Sequence, residues 1–260
     1  MTEYRFCTVA DEGRLRIVTI NRPEVMNALH SEAHWEFDRM WNEFAADPEL
    51  WVGIITGAGE RAFSAGNDLK VQAAGRRGPR PATGFAGLSQ RFDLDKPLIA
   101  AVNGVAMGGG FETALACDII IAAENAVFAL PEPRVGLIAG SGVHRLPRMI
   151  PQKQALGMIL TGRRVSAAEG KELGFVNEVV APAELMATAR KWAKGMMELS
   201  PMSLRASKQT VYRGLAEPSV EAALKNQNSY PAVAAMFRSE DLREGPRAFA
   251  EKRPPQWKGK

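Results

Sequence analysis

Short apolar runs alternate with longer amphipathic stretches along most of the chain. The runs at 14–21 (RLRIVTIN) and 51–56 (WVGIIT) have the length and the β-branched content of strands. Between them, Trp, Met and Phe residues recur at helical spacing, which predicts an amphipathic helix over 31–45 with Ser31 as its N-cap. Strands that alternate with helices in this way are typical of α/β architecture.

The alternation continues to about residue 180 and then gives way to an almost wholly helical pattern. Further strands are predicted at 98–102, 119–122, 126–129 and 176–180. Helices are predicted from near Phe111 and over 143–149, 154–160, 167–173 (capped by Ser166), 184–199, 202–214 and 219–236. Ser200-Pro201 therefore marks the predicted boundary between an α/β core, 1–200, and a helical C-terminal region, 201–260.

The strongest indication of a functional site comes from residues 98–123, LIAAVNGVAMGGGFETALACDIIIAA. An apolar run and a turn lead to three consecutive glycines, 108–110, and then to a helical pattern. N–H groups at a helix start are unpaired and lie at the positive end of the helix dipole. This arrangement suits a site that stabilises an oxyanion while Glu112 helps to move a proton. Close packing of backbone on backbone explains a glycine triplet equally well.

Two further stretches favour the functional interpretation. Residues 62–70 (AFSAGNDLK) also begin with an apolar run that is followed by a turn at a glycine. Residues 128–132 (FALPE) form an apolar run that ends at Glu132. Pro131 and Pro133 restrict the backbone on both sides of Glu132 and so aim its side chain. Carboxyl groups in an apolar setting have raised pKa values and exchange protons near neutral pH. For Glu112, a first-turn residue that favours the helix dipole remains the alternative.

Composition narrows the possible classes of protein. The chain has 260 residues, 46% hydrophobic and 24% charged, which suffices for a substantial core. Its net charge of +4 is spread without a long basic run, so nucleic acid is not indicated. Two cysteines, Cys7 and Cys117, are too few for a disulfide framework. We find no signal-peptide pattern and no stretch of about 18 apolar residues, and therefore expect a cytoplasmic protein without a membrane partner.

Several common catalytic signatures do not occur. The sequence has no GxxxxGK[ST] loop, no GxGxxG fingerprint and no GxSxG elbow. The three histidines, His30, His34 and His144, do not form an HExxH motif. Residues 75–87 are rich in Gly, Pro and Arg and predict a flexible loop. Its arginines at 76, 77 and 80 could contact a phosphate, although a solvated loop is the favoured interpretation.

Five segments of the chain resemble the crotonase family, the enoyl-CoA hydratases and isomerases. They are IVTINRPEVMNAL (17–29), IITGAGERAFSAGNDLK (54–70), KPLIAAVNGVAMGGGFETALACDIIIAAENAVFALPEPRVGL (96–137), TGRRVSAAEGKELGFVNEVV (161–180) and FAEKRPPQWKG (249–259). The glycine triplet together with the AG-x-D-L motif is highly specific. The resemblance implies an α/β spiral of ββα units with a C-terminal helical trimerisation region. It also implies an acyl-CoA substrate and a homotrimer or a dimer of trimers.

The resemblance also assigns roles to individual residues. The two backbone N–H groups that hold the thioester oxygen match Asn67 and Gly109, and the two catalytic carboxylates match Glu112 and Glu132. Glu132 is expected to act as base toward water and as proton donor at C2, while Glu112 orients the water. Positions expected to contact substrate or CoA are Val25, Ala65, Gly66, Asp68, Leu69, Gly108, Pro131, Leu137, Gly140 and Lys252. No metal or redox cofactor is implied, because CoA enters as part of the substrate thioester.

The expected reaction is reversible hydration of a 2-enoyl-CoA. A Δ3,Δ2-enoyl-CoA isomerase, which one glutamate can serve, and a catalytically silent acyl-CoA-binding protein remain alternatives. Asn67 replaces the alanine common in hydratases, and 134–142 (RVGLIAGSG) lacks a glycine and a proline that hydratases tend to have. Segments such as GFAGL (84–88) and FALPE are similar to carnitinyl-CoA dehydratase-like members. Similarity to one branch does not fix the acyl group.

Overall fold

The computed structural model describes residues 4–75 and 78–260. Strands in these ranges are β1 (Cys7–Glu12), β2 (Leu15–Ile20), β3 (Val52–Gly57), β4 (Ala62–Ser64), β5 (Leu98–Val102), β6 (Val105–Met107), β7 (Ile119–Ala123), β8 (Val127–Ala129), β9 (Val165–Ser166) and β10 (Glu178–Val180). The α-helices are α1 (Ser31–Ala46), α2 (Leu69–Ala73), α3 (Gly109–Ala116), α4 (Gly142–Met149), α5 (Gln152–Thr161), α6 (Ala167–Leu173), α7 (Leu185–Met197), α8 (Pro201–Gly214), α9 (Val220–Asn226), α10 (Pro231–Arg238) and α11 (Asp241–Ala250). Short 3₁₀ helices cover Pro23–Val25, Phe85–Gly87, Glu132–Val135, Pro182–Glu184 and Gln227–Ser229.

The strands form two sheets, and from β3 to β8 successive strands alternate between them. One sheet has the order β1-β2-β3-β5-β7-β10, and the other has the order β4-β6-β8-β9. Each of the pairs β3/β4, β5/β6 and β7/β8 therefore places one strand in each sheet. All neighbours are parallel except β1 with β2 and β8 with β9. The result is the expected mixed α/β spiral of ββα units.

An aromatic cluster fixes the two segments that carry the candidate carboxylates. The rings of Phe111, Phe128 and Phe175 lie with centroids 5.1–5.2 Å apart, and Phe111 and Phe128 are fully buried. Glu112 follows Phe111 directly, and Glu132 stands four residues after Phe128. Burial of these rings stabilises α3 against β8 and thereby sets the relative position of the two glutamates.

The structure corrects several details of the predicted elements. Ser31 is not an N-cap: His30 occupies that position without a side-chain capping bond, and the Ser31 hydroxyl donates instead to the Pro79 carbonyl at 2.5 Å. β10 begins at Glu178, two residues later than predicted. α3 begins at Gly109 because Gly108 supplies the positive φ at its N-cap.

The predicted helix over 219–236 is two helices, α9 and α10, separated by the 3₁₀ turn Gln227–Ser229. Pro231 explains the break, since it has no N–H for an intrahelical hydrogen bond and begins α10 instead. The sequence did not predict β1 or the short strands β4, β6 and β9. β4, β6 and β9 have only two or three residues each, which is too short to show a period, and β1 has one buried residue among six.

The C-terminal helices are tied to the α/β core by polar contacts. Lys208 on α8 donates to the Lys96 carbonyl at 2.9 Å and to Asp118 at 2.7 Å. The indole N–H of Trp257 donates to the Glu198 carbonyl. A division at residue 200 and a trimerisation role for 201–260 stay predictions. Across the described ranges, no helix is long and apolar enough to cross a membrane.

Candidate active site

The glycine triplet begins α3 and packs tightly on its neighbours. Gly108 has φ +52, and its N–H donates to the Ala129 carbonyl at 2.9 Å. A Cβ on Gly109 would lie 2.5 Å from the Phe85 ring, and a Cβ on Gly110 would lie 2.1 Å from the Ser64 carbonyl oxygen. Close packing therefore requires these glycines, and the same packing places the N-terminus of α3 at a cavity.

The segment 65–68 forms the facing wall. The Leu29 N–H donates to the Gly66 carbonyl, and the Asp68 N–H donates to the Leu29 carbonyl, both at 2.9 Å. Leu29 and Asn67 form an isolated parallel bridge, and in such a bridge the N–H of Asn67 faces away from Leu29. A Cβ on Gly66 would lie 3.1 Å from the Gly109 nitrogen, so the two walls nearly touch.

The N–H groups of Asn67 and Gly109 have no acceptor among the described residues. Both residues line the same cavity of about 210 Å³. Two unpaired backbone donors on one cavity wall can stabilise an oxygen that gains negative charge, because they need no reorganisation when the charge develops. Gly109 also begins α3, whose dipole adds positive potential at this end.

The cavity brings together most of the predicted site residues. It is lined by Ala65, Asn67, Leu69, Gly108, Gly109, Pro131, Glu132, Arg134, Val135 and Leu137. Arg134 and Val135 were missed at the sequence level, although they follow Glu132 within one turn of 3₁₀ helix. Arg134 donates to the Thr161 and Gly162 carbonyls at the rim.

Glu132 has an uncommon environment for a carboxylate. Its Oε1 lies only 2.7 Å from the position that a Cβ on Gly108 would occupy. Its Oε2 is buried and has no hydrogen-bond partner among the described residues. Burial, followed by the charge of Glu112, raises the pKa of Glu132 to about 7, although a hydrogen bond from its own backbone acts in the other direction. Near neutral pH, Glu132 can therefore both accept and donate a proton.

Glu112 is held differently. It is 5% exposed, and its Oε1 accepts hydrogen bonds from the N–H groups of Ser141 (2.5 Å) and Gly142 (2.7 Å) and from the Ser141 hydroxyl (3.3 Å). These donors stand at the N-terminus of α4, where a negative charge is stabilised. Its Oε2 accepts no hydrogen bond from the described residues, so one oxygen is fixed and the other remains available as an acceptor.

The remaining predicted site residues, Glu112 among them, are not part of the cavity lining. Gly140 stands beside Glu112, since a Cβ there would lie 3.8 Å from Oε1. Asp68 caps α2 and pairs with Arg22 at 3.1 Å, so its carboxylate supports the turn. Val25 ends the 3₁₀ helix Pro23–Val25. Lys252 follows α11 with φ +53 and is not part of the cavity lining.

The arginine-rich loop reaches this site at one described position. Arg76 and Arg77 lie outside the described residues. Arg80 donates from Nη2 to the Asn67 side-chain oxygen at 2.6 Å. Phosphate contact by these arginines stays the untested alternative to a solvated loop.

Comparison of the sequence with known proteins identifies the family. The family model described as enoyl-CoA hydratase/isomerase matches residues 11–260. Carnitinyl-CoA dehydratases of Salmonella typhi and Salmonella typhimurium are 47% identical over 259 residues, covering 95% of this chain and 96% of theirs.

Solved structures give the same result. The enoyl-CoA hydratase from Mycobacterium tuberculosis H37Rv superposes with a TM-score of 0.91 at 36% identity, over 98% of this chain and 99% of that one. EchA1 from Mycobacterium marinum gives 0.91 at 37% identity with the same coverage. The chain therefore belongs to the crotonase family of enoyl-CoA hydratases and isomerases.

Proposed function

We propose that this enzyme is a hydratase-type lyase that adds water reversibly across the C2–C3 double bond of a 2-enoyl-CoA thioester. The observation that carries the proposal is that two unpaired N–H groups line one cavity with Glu132, whose pKa is raised by burial and by the charge of Glu112. The carnitinyl-CoA dehydratase relatives favour including the reverse reaction, loss of water from a 3-hydroxyacyl-CoA.

The backbone donors supply the first part of the mechanism. The double bond of a 2-enoyl thioester is conjugated with the carbonyl, so attack at C3 moves negative charge onto the thioester oxygen. The N–H groups of Asn67 and Gly109 hydrogen-bond that oxygen and stabilise the enolate. A donor of this kind contributes about 3 kcal/mol to the transition state.

The carboxylates supply the second part. The free Oε2 of Glu112 accepts a hydrogen bond from the attacking water and orients its oxygen toward C3. Glu132 takes a proton from that water as the C–O bond forms and delivers a proton to C2 of the enolate. A pKa of about 7 suits this double role, because acid and base forms coexist at working pH.

The proposed reaction uses only water and the acyl-CoA, so no metal or redox cofactor enters it. Within the part of the chain that the structure describes, no three His, Cys, Asp or Glu side chains are grouped to hold a metal ion. Leu69, Pro131 and Leu137 are proposed to contact the thioester or its pantetheine arm, and Lys252 the CoA phosphate. We also propose a homotrimer or dimer of trimers in the cytoplasm.

Isomerisation of a 3-enoyl-CoA is the second candidate, and one observation favours it. Glu132 has a buried oxygen without a hydrogen-bond partner among the described residues and a pKa of about 7, and one such group can move a proton between C2 and C4. A catalytically silent acyl-CoA-binding protein is the third candidate. The presence of both glutamates disfavours it.

Absorbance of the enoyl-thioester band separates the three. The purified enzyme is incubated with crotonyl-CoA, with a longer 2-enoyl-CoA and with a 3-enoyl-CoA. We expect the band to disappear with both 2-enoyl substrates as a 3-hydroxyacyl-CoA accumulates. Appearance of the band from the 3-enoyl-CoA without hydration would support the isomerase instead. Binding of acyl-CoA with no turnover of any substrate would support the silent protein.

A further inference from the structure

The side-chain amide of Asn67 has a fixed orientation. Arg80 donates to its Oδ1 at 2.6 Å, and a guanidinium carries hydrogen-bond donors only. The oxygen of the amide must therefore face Arg80, and the NH₂ group must occupy the other end. Oxygen and nitrogen of an asparagine are assigned from such contacts, and here the partner permits a single assignment.

The NH₂ group of Asn67 is an unused donor at the candidate active site. Nδ2 donates to no acceptor in 4–75 or 78–260. Asn67 lines the same cavity as Gly109 and Glu132, and its own backbone N–H is one of the two donors proposed for the thioester oxygen. The side chain of the same residue is thus within reach of the acyl group.

The one carboxylate among the described residues of the pocket on the Arg80 side of Asn67 is already paired with an arginine. A small pocket on the Arg80 side of Asn67 is also lined by Asp68, His30 and His34. Asp68 is bound by Arg22 at 3.1 Å. Burial lowers the pKa of both histidines, that of His34 to about 3, so neither carries a charge at neutral pH.

Aromatic rings do not provide a binding site for a positively charged group of the substrate either. Cations without N–H donors, such as quaternary ammonium groups, are bound by aromatic faces or by carboxylates. Among the described residues, the cavity lining contains no aromatic side chain; its carboxylate is Glu132, which the proposed reaction uses, and it also contains the positive Arg134. The ring of Phe85, which packs on Gly109, already has the Arg80 guanidinium 5.9 Å from its centroid.

We propose that Asn67 and Arg80 form a selectivity pair that favours a 2-enoyl-CoA whose acyl chain ends in a carboxylate and disfavours one that ends in a quaternary ammonium group. The amide NH₂ group donates to the substrate carboxylate, and the positive charge of Arg80 supports it. This inference rests on the proposed function in placing the acyl thioester in the 210 Å³ cavity.

The test compares three thioesters that differ at the far end of a four-carbon enoyl unit. Glutaconyl-CoA carries a carboxylate where crotonobetainyl-CoA carries trimethylammonium, and crotonyl-CoA carries hydrogen. We expect kcat/KM for glutaconyl-CoA to exceed that for crotonobetainyl-CoA by at least about tenfold, the scale of one charge-assisted hydrogen bond. Equal values, or a preference for crotonobetainyl-CoA, would overturn the inference while leaving the proposed hydration intact.

Substitutions of Asn67 and Arg80 test whether these two residues cause the preference for a substrate carboxylate. Asn67→Asp keeps the shape and the contact with Arg80 but replaces the NH₂ donor by an oxygen, so the glutaconyl/crotonobetainyl ratio should fall about tenfold. Arg80→Ala should lower the same ratio, since the amide is released and the charge is lost. Arg148→Ala, at an exposed arginine that donates to the His144 carbonyl, is the control and should leave the ratio unchanged. Unaltered ratios in both pair variants would overturn the assignment.

Binding measurements keep the test independent of turnover. The saturated thioesters glutaryl-CoA, butyryl-CoA and butyrobetainyl-CoA are titrated calorimetrically into the wild-type and variant proteins. We expect the same order of affinity, with glutaryl-CoA tightest and its advantage reduced in Asn67→Asp. If no 2-enoyl-CoA is hydrated but this order holds, the proposed function fails and the selectivity pair stands. If the order is absent, the selectivity pair fails.

Discussion

Burial and the negative charge of Glu112 together raise the pKa of Glu132 to about 7. The two carboxylates are held in opposite ways. One oxygen of Glu112 accepts three hydrogen bonds, two of them from backbone N–H groups at the start of α4. Glu132 keeps a buried oxygen without a partner in the described ranges. Two carboxylates whose environments differ in this way suit different tasks, one as a fixed acceptor and the other as a proton carrier.

Replacing Glu132 by Gln should remove the proton carrier while preserving the shape of the site. We expect kcat for crotonyl-CoA hydration to fall by about 10³-fold, within the range of general acid–base catalysis. KM should change little, because the N–H groups of Asn67 and Gly109 remain. Steady-state kinetics check this, with the thermal midpoint as a control for folding. A rate near that of wild type would rule out the assigned role.

Glu132 should also make the stability of the folded protein depend on pH. Its folded pKa, about 7, lies above the usual 4.5. The folded state therefore holds a proton that the unfolded state releases, so this contribution to stability is complete below pH 4.5 and is lost as pH rises through 7.

Glu132→Gln does not titrate and should escape that loss. Relative to wild type, its free energy of unfolding should improve by about 2 kcal/mol between pH 4.5 and pH 8, allowing for partial solvent screening. Urea denaturation of both proteins at the two pH values measures the difference. A difference that does not change with pH would mean that Glu132 has an ordinary pKa.

Ser141 should position Glu112 through its hydroxyl as well as its N–H. Ser141→Ala removes the 3.3 Å bond and keeps the two backbone bonds to Oε1. We expect kcat to fall about fivefold, the value of one hydrogen bond, with KM unchanged. Kinetics with crotonyl-CoA test this, and an unchanged kcat would show that the backbone donors alone hold the carboxylate.

The packing of the glycine triplet should be sensitive to a single methyl group. In Gly110→Ala, the new Cβ would lie 2.1 Å from the Ser64 carbonyl oxygen, so backbone must shift. We expect a loss of about 3 kcal/mol in the free energy of unfolding. Gly157→Ala is the matched control, because Gly157 lies in α5 with no neighbouring atom within 4 Å of its Cβ position. That change should stabilise the protein by about 0.5–1 kcal/mol. Equal effects at the two positions would contradict the packing described for α3.

Four strands and the two candidate glutamates could be predicted from the sequence because each has a strong local signal. β2, β3, β5 and β7 are apolar runs bounded by turns, and the family motifs mark 62–70 and 108–112. The comparisons confirm that the chain belongs to the crotonase family. The roles of individual site residues stay predictions.

Features set by tertiary contacts could not be predicted. The bond between Arg80 and Asn67 joins residues 13 positions apart across a loop without periodicity. Ser31 has the composition of an N-cap, but its hydroxyl is taken by the Pro79 carbonyl. The three donors on Glu112 come from residues 29 and 30 positions away. Such contacts depend on how distant segments meet, which local pattern does not specify.

Isotope incorporation tests the central claim most directly. Crotonyl-CoA is incubated with the enzyme in H₂¹⁸O and, separately, in D₂O, and the product is analysed by mass spectrometry. Hydration by Glu112 and Glu132 predicts one solvent oxygen at C3 and one solvent hydrogen at C2 in the 3-hydroxybutyryl-CoA product. Solvent hydrogen at C2 or C4 without solvent oxygen, or no incorporation at all, would contradict the account.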